Sequence, residues 1–562
     1  SVELIPAVIS KAIQQLPIAK RMRWGDSNIE FVRPVHWAVL LLGKHIIETD
    51  ILGLTTGNTS YGHRFHAPQA LTITAAEDYE ALLLSQAKVI PSFAQRIAMI
   101  NDAAKQAAEN VGGIAHIEAD LLEEIAALNE FPVPITGNFD KRYLALPKEV
   151  LITTMQINQK YFPVKNSEGE LLPHFITFSN IESTNPASIQ LGNERVIMPR
   201  LADAEFFWNQ DRKQPLSAHL PQLDAIIFQK KLGSLADKSE RVAQLASAIA
   251  KALGVDDSLV KRAAVLAKTD LVTNMVEEFG SLQGLMGRYY ALADGEPSEV
   301  AYAIEEQYMP KQSGSATAPS VTGQILALAE KIDTLTGIFS AGLIPTGDKD
   351  PYALRRAALG ILRTIIENNL PLDVVASIKL ALAQFTHEFE QEKTQALVTA
   401  FVYERLKGYC LEQGFSIDEF EAVKAIAPAK PTDFMARLHA VKSFRALVEA
   451  DSLAAANKRI ANILKKSESV TIKVIDGLEE TAELALLASA EQAEQAIKPL
   501  LAKHNYQAAL NRLAVLRPEV DAFFDEVMVM CEDLNLREQR LALLTKLSTL
   551  FLQIADISKL QG

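Results

Sequence analysis

The chain has 562 residues, of which 48% are hydrophobic and 22% are charged, and its formal net charge is −13. This composition is typical of a globular protein with roughly three to five domains. The acidic balance argues against a generic nucleic-acid coat, which binds through a broadly basic surface, but it allows local basic stripes to bind RNA.

The sequence shows no targeting signal and no cysteine framework. No stretch of about 18 residues lacks charge, so we expect no membrane span. The opening residues have no basic lead and start at Ser1, so the numbering is expected to begin inside a longer protein. Cys410 and Cys531 lie outside any metal-binding spacing. They are expected to be small buried residues in a reducing, cytoplasmic protein.

An α+β region is predicted for residues 1–215. Strand patterns occur at 31–43 (FVRPVHWAVLLLG), at 133–140 (VPITGNFD) and at 160–180, where NSEG marks a hairpin turn. The Ala- and Glu-rich residues 77–128 have a helical pattern. Short strands, turns and helices therefore alternate in this part of the chain.

Two polar clusters of this region allow a functional and a structural interpretation. Residues 20–37 (KRMRWGDSNIEFVRPVHW) combine basic and aromatic side chains, so Arg21 and Arg23 are candidates for RNA phosphates. The alternative is a strand edge with arginines extended over core aromatics. His63 and His66 have no third metal ligand nearby in sequence. A loop with hydrogen-bonded histidines is therefore favoured over a metal site.

From about Phe206 onward the pattern is almost wholly helical. Apolar residues recur at spacings of three and four, with breaks at 310–320, 342–351 and 426–433. The overall fold class predicted is an α+β N-terminal region followed by mostly α structure in several domains. The helical part is divided into a domain over 216–365, a connecting region over 366–432, and a C-terminal bundle over 433–562.

Residues 230–340 follow the order of an HD-type phosphohydrolase domain, through KSERVAQLA, LAKTDLVTNMV and LAEKIDTLTGIF. Asp270 and Asp333 keep two acidic positions of that pattern. Its histidine positions hold other residues, namely Lys238 or Ser239, and Lys268 or Thr269. Because an ammonium cannot donate a lone pair to a metal, no metal site is predicted. The two aspartates are expected to pair with Lys or Arg, or to lock helices.

A helix start is predicted in GDKDPYALRRAALGILRTI (347–365), with Asp350 as N-cap and Pro351 in the first turn. Its arginines predict either a phosphate-facing ridge or an ion-paired helix face; they are Arg355, Arg356 and Arg363.

In the last helix, Arg537 and Arg540 continue an apolar stripe and are expected at a domain edge, where they meet nucleic acid or a partner. The alternative is pairing with Glu532 or Asp533. The stripe consists of Leu544, Leu547, Phe551 and Ile554.

Nucleotide-binding and catalytic motifs are missing from the sequence. There is no GxxxxGK[ST], GxGxxG or HExxH, and no HIGH or KMSKS-type signature. No catalytic residue and no cofactor are therefore predicted for this chain.

Several long runs resemble, in one order over nearly the whole chain, the β subunits of bacterial two-subunit glycyl-tRNA synthetases. These runs are KRMRWG, FVRPVHW, GHRFHAP, QKYFPV, GNERVIMPRLADAEFFW, LAKTDLVTNMVEEFGSLQGLMG, GDKDPYALRRAALGILR, ANKRIANIL, FFDEVMVM and LREQRLALL.

The resemblance implies an α₂β₂ heterotetramer in which the α subunit binds ATP, Mg²⁺ and glycine. This chain would bind tRNA(Gly) and support glycylation without catalysing it. Its front part resembles the editing-like module of phenylalanyl-tRNA synthetase β, its middle a degenerate HD domain, and its end the anticodon-binding bundle of arginyl-tRNA synthetase. The tRNA-binding candidates are Arg21, Arg23, Arg355, Arg356, Arg363, Lys458, Arg459, Arg537 and Arg540.

One departure from the family pattern concerns the N-terminus. Family members begin before the position of Ser1, with an acidic EELP-type motif that this sequence lacks. We therefore expect a chain truncated at its N-terminus, with an incomplete first domain. Two rival hypotheses are an HD-type metal phosphohydrolase and a helical interaction scaffold without an RNA role.

Overall fold

The computed structural model describes residues 2–312, 314–347, 349–467 and 475–560. The chain divides into two compact units, residues 1–211 and residues 212–562. The sequence places this boundary at 215/216. The further division of the helical part stays a prediction.

A four-stranded antiparallel sheet with the order β10–β12–β11–β9 forms the centre of the first unit. β10 pairs with β12 along its whole length, from Val133 opposite Ser179 to Asn138 opposite His174. The remaining strands form two-stranded ribbons. The strands are β1 Met22–Arg23, β2 Glu30–Phe31, β3 Leu41–Leu42, β4 His45–Ile46, β5 Asp50–Ile51, β6 Leu54–Thr55, β7 Thr59–Tyr61, β8 Ala70–Thr72, β9 Ile114–Ala115, β10 Val133–Asn138, β11 Phe162–Lys165 and β12 Leu171–Ser179.

The core of this unit lies between the sheet and two helices. Ile100 on α3 and Ile125 on α4 are buried against Phe162 and Ile176 of the sheet. Ser92 caps α3 by accepting a hydrogen bond from the Gln95 N–H. The helices are α1 Ile5–Gln15, α2 Tyr79–Gln86, α3 Phe93–Glu109, α4 Ala119–Leu128, α5 Lys148–Thr153 and α6 Pro186–Asp211.

Two of the three predicted strand regions are confirmed. VPITGN forms β10, and residues 160–180 form the hairpin β11–β12 around the NSEG turn. The single strand predicted over 31–43 is wrong: the chain bends at Val32 and continues irregularly through Pro34. Proline cannot donate a ladder hydrogen bond, and it interrupts the apolar run before β3.

The second unit is almost entirely helical, apart from the small ribbon of β13 Ile227–Gln229 and β14 Gly233–Ser234. Its helices are α7 Leu235–Ala252, α8 Ser258–Leu266, α9 Asn274–Glu278, α10 Leu285–Ala293, α11 Ser298–Glu306, α12 Val321–Ser340, α13 Leu354–Glu367, α14 Val374–Leu382, α15 Gln391–Glu412, α16 Ile417–Lys424, α17 Pro431–Arg445, α18 Ala450–Lys466, α19 Thr481–Ala502, α20 Tyr506–Ala514, α21 Arg517–Glu526 and α22 Leu534–Leu552.

Helix α12 is the central element of the N-terminal half of this unit. It packs against α7, α8, α11, α13, α14 and α15. As a result, 15 of its 20 residues are buried, including Ile325, Leu328 and Ile332, whose spacing of three and four is typical of the apolar side of a helix. A helix enclosed on most of its surface also buries some of the polar side chains that it carries.

The predicted start of α13 requires a correction. The helix begins at Leu354, and Pro351 lies in the preceding turn. Asp350 does cap the helix, because its carboxylate accepts from the Leu354 N–H at 2.8 Å and the Arg355 N–H at 3.0 Å. Ala353 adopts a left-handed conformation, with φ of 53°. This turn separates the proline from the first helical residue.

Among the helices in the described ranges, none is both long enough and apolar enough to cross a membrane.

Candidate nucleic-acid interface

The two carboxylates of α12 are surrounded by basic side chains. Asp333 is 2% exposed; it accepts from Lys238 Nζ at 3.0 Å and from Arg241 Nε at 2.8 Å. Glu330 lies 3.4 Å from Lys238 Nζ and 3.3 Å from Lys268 Nζ. Asp333 therefore pairs with Lys and Arg, one of the two structural roles predicted for it. Lys238 thus contacts both carboxylates of α12.

Asp270 has a different environment, with backbone donors instead of an ion pair. Its carboxylate accepts from the Gly284 N–H at 2.5 Å and from the Gly287 N–H at 3.1 Å. Complete burial raises the pKa of Asp270 to about 6, although these backbone donors and Lys268 act in the opposite direction. Within the described ranges, no group of three or more His, Cys, Asp and Glu residues could hold a metal ion.

The arginines of α13 have separate environments. Arg355 donates to the Gly347 carbonyl and Arg363 pairs with Glu367, with Nε 2.6 Å from the carboxylate oxygen. Arg356 is exposed. The ion-paired interpretation therefore describes Arg363, and Arg356 is the arginine of this helix that faces solvent.

Arg540 is not at an exposed edge, so that expectation is wrong. It is 3% exposed and forms ion pairs with Glu480 at 2.8 Å and with Glu483, and it also donates to the Met528 carbonyl at 2.8 Å. Its ion-pair partners are Glu483 on α19 and Glu480, the residue before that helix. The alternative pairing with Glu532 or Asp533 is therefore also wrong for Arg540.

Arg537 is half-buried and donates to the Cys531 carbonyl, with Nε at 2.8 Å. Its guanidinium therefore closes the loop before α22. Asp533 has another role, because it caps this helix by accepting from the N–H groups of Asn535 and Leu536. The position of Arg537 therefore does not require an ion pair with Glu532 or Asp533.

Lys458 and Arg459 lie on the outer face of α18. Both are exposed, whereas their helix neighbours Asn457 and Ile460 are buried. The guanidinium of Arg459 stacks 4.3 Å from the ring centroid of Phe524. This contact fixes the direction of the arginine while its donors remain at the surface.

The N-terminal candidates lie on a small exposed ribbon. Arg23 pairs with Glu30 at 2.8 Å, and Arg21 donates to the Gln14 carbonyl at 3.3 Å.

His63 is 1% exposed; its Nε2 lies 2.6 Å from the Asn180 carbonyl oxygen, and its Nδ1 accepts from the Phe65 and His66 N–H groups. The interpretation of this loop as one with hydrogen-bonded histidines is confirmed.

The pairing of Glu480 and Glu483 with Arg540 is not predicted from the sequence, in which the two residues belong to an acidic stretch. Glu483 is fully buried and forms a reciprocal capping box with Glu480 at the start of α19. Two acidic residues spaced three apart before an apolar run are the sequence signal that indicates such a capping box.

The C-terminal helices carry a second, independent indication of function. Residues 453–558, which span α18 to α22, match the DALR anticodon binding domain. The fold and this match define the class of the protein as a component of an aminoacyl-tRNA synthetase with a helical anticodon-binding domain. Residues 1–425 match the model described as the glycyl-tRNA synthetase beta subunit.

Proteins that are similar along the whole chain support the same family. The glycine–tRNA ligase beta subunit of Acinetobacter baylyi is 49% identical over 561 residues, which cover 100% of this chain and 81% of the relative. The corresponding protein of Ectopseudomonas mendocina is 45% identical, covering 100% of this chain and 82% of the relative. The chain belongs to the glycyl-tRNA synthetase β-subunit family. These matches do not support the phosphohydrolase and scaffold hypotheses.

Replacing Arg540 by Ala should destabilise the C-terminal bundle strongly. The change leaves Glu483 buried without its charge partner, which costs about 3–5 kcal/mol. Arg517→Ala is a matched control, because Arg517 and Asp521 form an i,i+4 pair with side chains 39% and 44% exposed. Such a pair contributes less than about 1 kcal/mol. Urea unfolding of both variants checks this prediction, and equal losses of stability would contradict it.

The raised pKa of Asp270 predicts a pH-dependent stability. Because the pKa of Asp270 in the folded protein, about 6, exceeds the ordinary aspartate pKa of 3.8, the folded protein takes up a proton before the unfolded one as pH falls. The native protein should therefore gain roughly 1 kcal/mol relative to Asp270→Asn between pH 7.5 and pH 5. Denaturant unfolding of both proteins at the two pH values measures this difference. Parallel pH profiles would show that Asp270 does not titrate in this range.

Proposed function

We propose that this chain binds tRNA(Gly) and presents it to an α subunit that performs ATP-dependent glycylation. The observation that carries the proposal is the exposed basic pair Lys458 and Arg459, which lies within the residues that match an anticodon-binding domain. The chain as a whole is acidic, with a net charge of −13, so affinity for RNA must come from such local cations.

The chemistry of the pair suits a folded RNA. Arg459 offers a planar fork that can donate two parallel hydrogen bonds to a phosphate or a base edge, and its stacking on Phe524 limits its rotamers. Lys458 adds a mobile point charge beside it. We expect the stacked arginine to lose less conformational entropy on binding than an unstacked arginine would lose.

Further contacts with tRNA are proposed for exposed basic residues outside this domain. Arg356 is the candidate of α13, and Arg21 and Arg23 are the candidates of the N-terminal ribbon. Arg21, Arg23 and Arg356 are exposed, whereas Arg355, Arg363 and Arg537 are half-buried and have intramolecular partners, so the latter rank lower. We propose an α₂β₂ assembly, in which ATP and Mg²⁺ bind to the α subunit.

The division of labour between the subunits can be tested directly. Because the sequence has no recognisable nucleotide-activating motif, the chain alone should catalyse no glycine-dependent pyrophosphate exchange. Adding the α subunit should restore the exchange, and this serves as the positive control. Exchange by the purified chain without the α subunit would overturn this part of the proposal.

The role of the α18 cations predicts a specific binding defect. Lys458→Ala and Arg459→Ala should each weaken tRNA binding and lower the slope of log affinity against log salt by about one counterion. Lys251→Ala is the control, since Lys251 is 71% exposed and lies on α7. Fluorescence anisotropy with labelled tRNA(Gly) at several salt concentrations measures both quantities. Unchanged affinity and slope in the double variant Lys458→Ala, Arg459→Ala would refute the proposed interface.

A further inference from the structure

A cavity of about 380 Å³ opens beside the ionic cluster of α12. Its walls come from α12, from the start of α13 and the turn before it, from the segment between α11 and α12, and from the segment before α10. The side chains that matter for its chemistry are Tyr308, Lys311, Glu330, Lys331, Tyr352 and Arg356. A volume of this size falls within the range of about 300–1,000 Å³ that is typical of small-molecule sites.

The charges that line the cavity are mostly positive. Lys311 and Arg356 are exposed at its walls, and neither has an ion-pair partner in the part of the chain that the structure describes. The one carboxylate among the named lining residues, Glu330, is matched on its inner side by Lys238 and Lys268, at 3.4 Å and 3.3 Å. An anion entering the cavity would therefore meet Lys311 and Arg356, which form no ion pair with any described carboxylate.

Lys331 is the third cation of the wall and is held in place by the backbone. Its Nζ donates to the carbonyl of Gln307 at 3.0 Å and to that of Met309 at 2.7 Å. Its aliphatic stem passes Gly360 of α13 so closely that a Cβ there would lie 3.0 Å from Lys331 Cε. An ammonium has three donors, so one remains for a ligand. Burial lowers the pKa of Lys331 to about 7, which an incoming anion would counteract.

The remaining walls suit an aromatic base. Tyr308 and Tyr352 line the same cavity, and Tyr352 is 37% exposed. Gln307 also lines it and is only 1% exposed, yet its Oε1 accepts no hydrogen bond from any group that the structure describes. A buried acceptor without a donor costs about 1–3 kcal/mol. The exocyclic amino group of a nucleobase is a donor of the required kind.

We propose that this cavity binds a phosphomonoester carried by a nucleoside, with Lys311, Lys331 and Arg356 holding the phosphate and the two tyrosines contacting the base. Each cation donates charge-assisted hydrogen bonds to the phosphate oxygens. The phosphate can belong to a free nucleotide or to the 5′ end of an RNA. This inference does not depend on the proposed contact between α18 and tRNA.

Calorimetric titration of the full chain with AMP tests the proposal, with adenosine and inorganic phosphate as separate probes. AMP should bind more tightly than either probe. Arg356→Ala and Lys311→Ala should each weaken AMP binding by about tenfold or more, because each removes a charged donor. Both residues are exposed, so both variants should fold. Lys261→Ala, an exposed lysine of α8 outside the cavity wall, should leave AMP binding unchanged.

A short RNA with a 5′-phosphate, compared with the same RNA carrying a 5′-hydroxyl, distinguishes the two sources of the phosphate. Binding that requires both the 5′-phosphate and Arg356, without affinity for AMP, would identify an RNA end as the ligand. AMP binding that the RNA does not match would identify a free nucleotide. The proposal is overturned if neither ligand binds at millimolar concentration, or if binding is the same in Arg356→Ala, Lys311→Ala and the native chain.

Discussion

The placement of two carboxylates on α12, with Asp333 buried and Glu330 largely buried, is the constraint on which the arrangement of the helices around it depends. An unpaired buried carboxylate costs several kcal/mol, so Glu330 and Asp333 require cations from neighbouring elements. Lys238 on α7 reaches both of them, and Lys268 reaches Glu330 from the segment after α8. The geometry of three elements is thereby fixed by charge as well as by apolar contact. A shift of α7 along α12 would break these pairs together.

In the C-terminal bundle, Arg540 is the cation that neutralises a buried carboxylate. Its guanidinium joins α22 to the start of α19 through Glu480 and Glu483, and the latter is fully buried. An arginine used in this way is unavailable to an RNA. The cations that remain for recognition are those whose helix positions point away from the core, such as Lys458 and Arg459 on α18. In an acidic chain, internal pairing thus decides which basic residues can face a polyanion.

Periodicity predicted the helices well, because the core-facing side of a helix follows from its own sequence. The stripes of α12 and α22 are buried as their spacing indicates. Periodicity could not predict what lies across the interface: the partner of Arg540 is 57 residues away in sequence. The strand predicted at 31–43 failed for a local reason, since an apolar run that contains Pro34 cannot complete a regular ladder.

Nucleotide binding in the cavity beside α12, as we propose it, would not require a contiguous sequence motif. Phosphate-binding motifs are recognised when the donors lie in one loop, as in a glycine-rich turn before a helix. Here Lys311, Lys331 and Arg356 come from three separate segments, and no short pattern links them. Their joint charge also depends on Lys238 and Lys268, which neutralise Glu330 from behind. The ion pairs that stabilise α12 therefore also make the cavity positive, so its binding chemistry follows from the packing of the helix core.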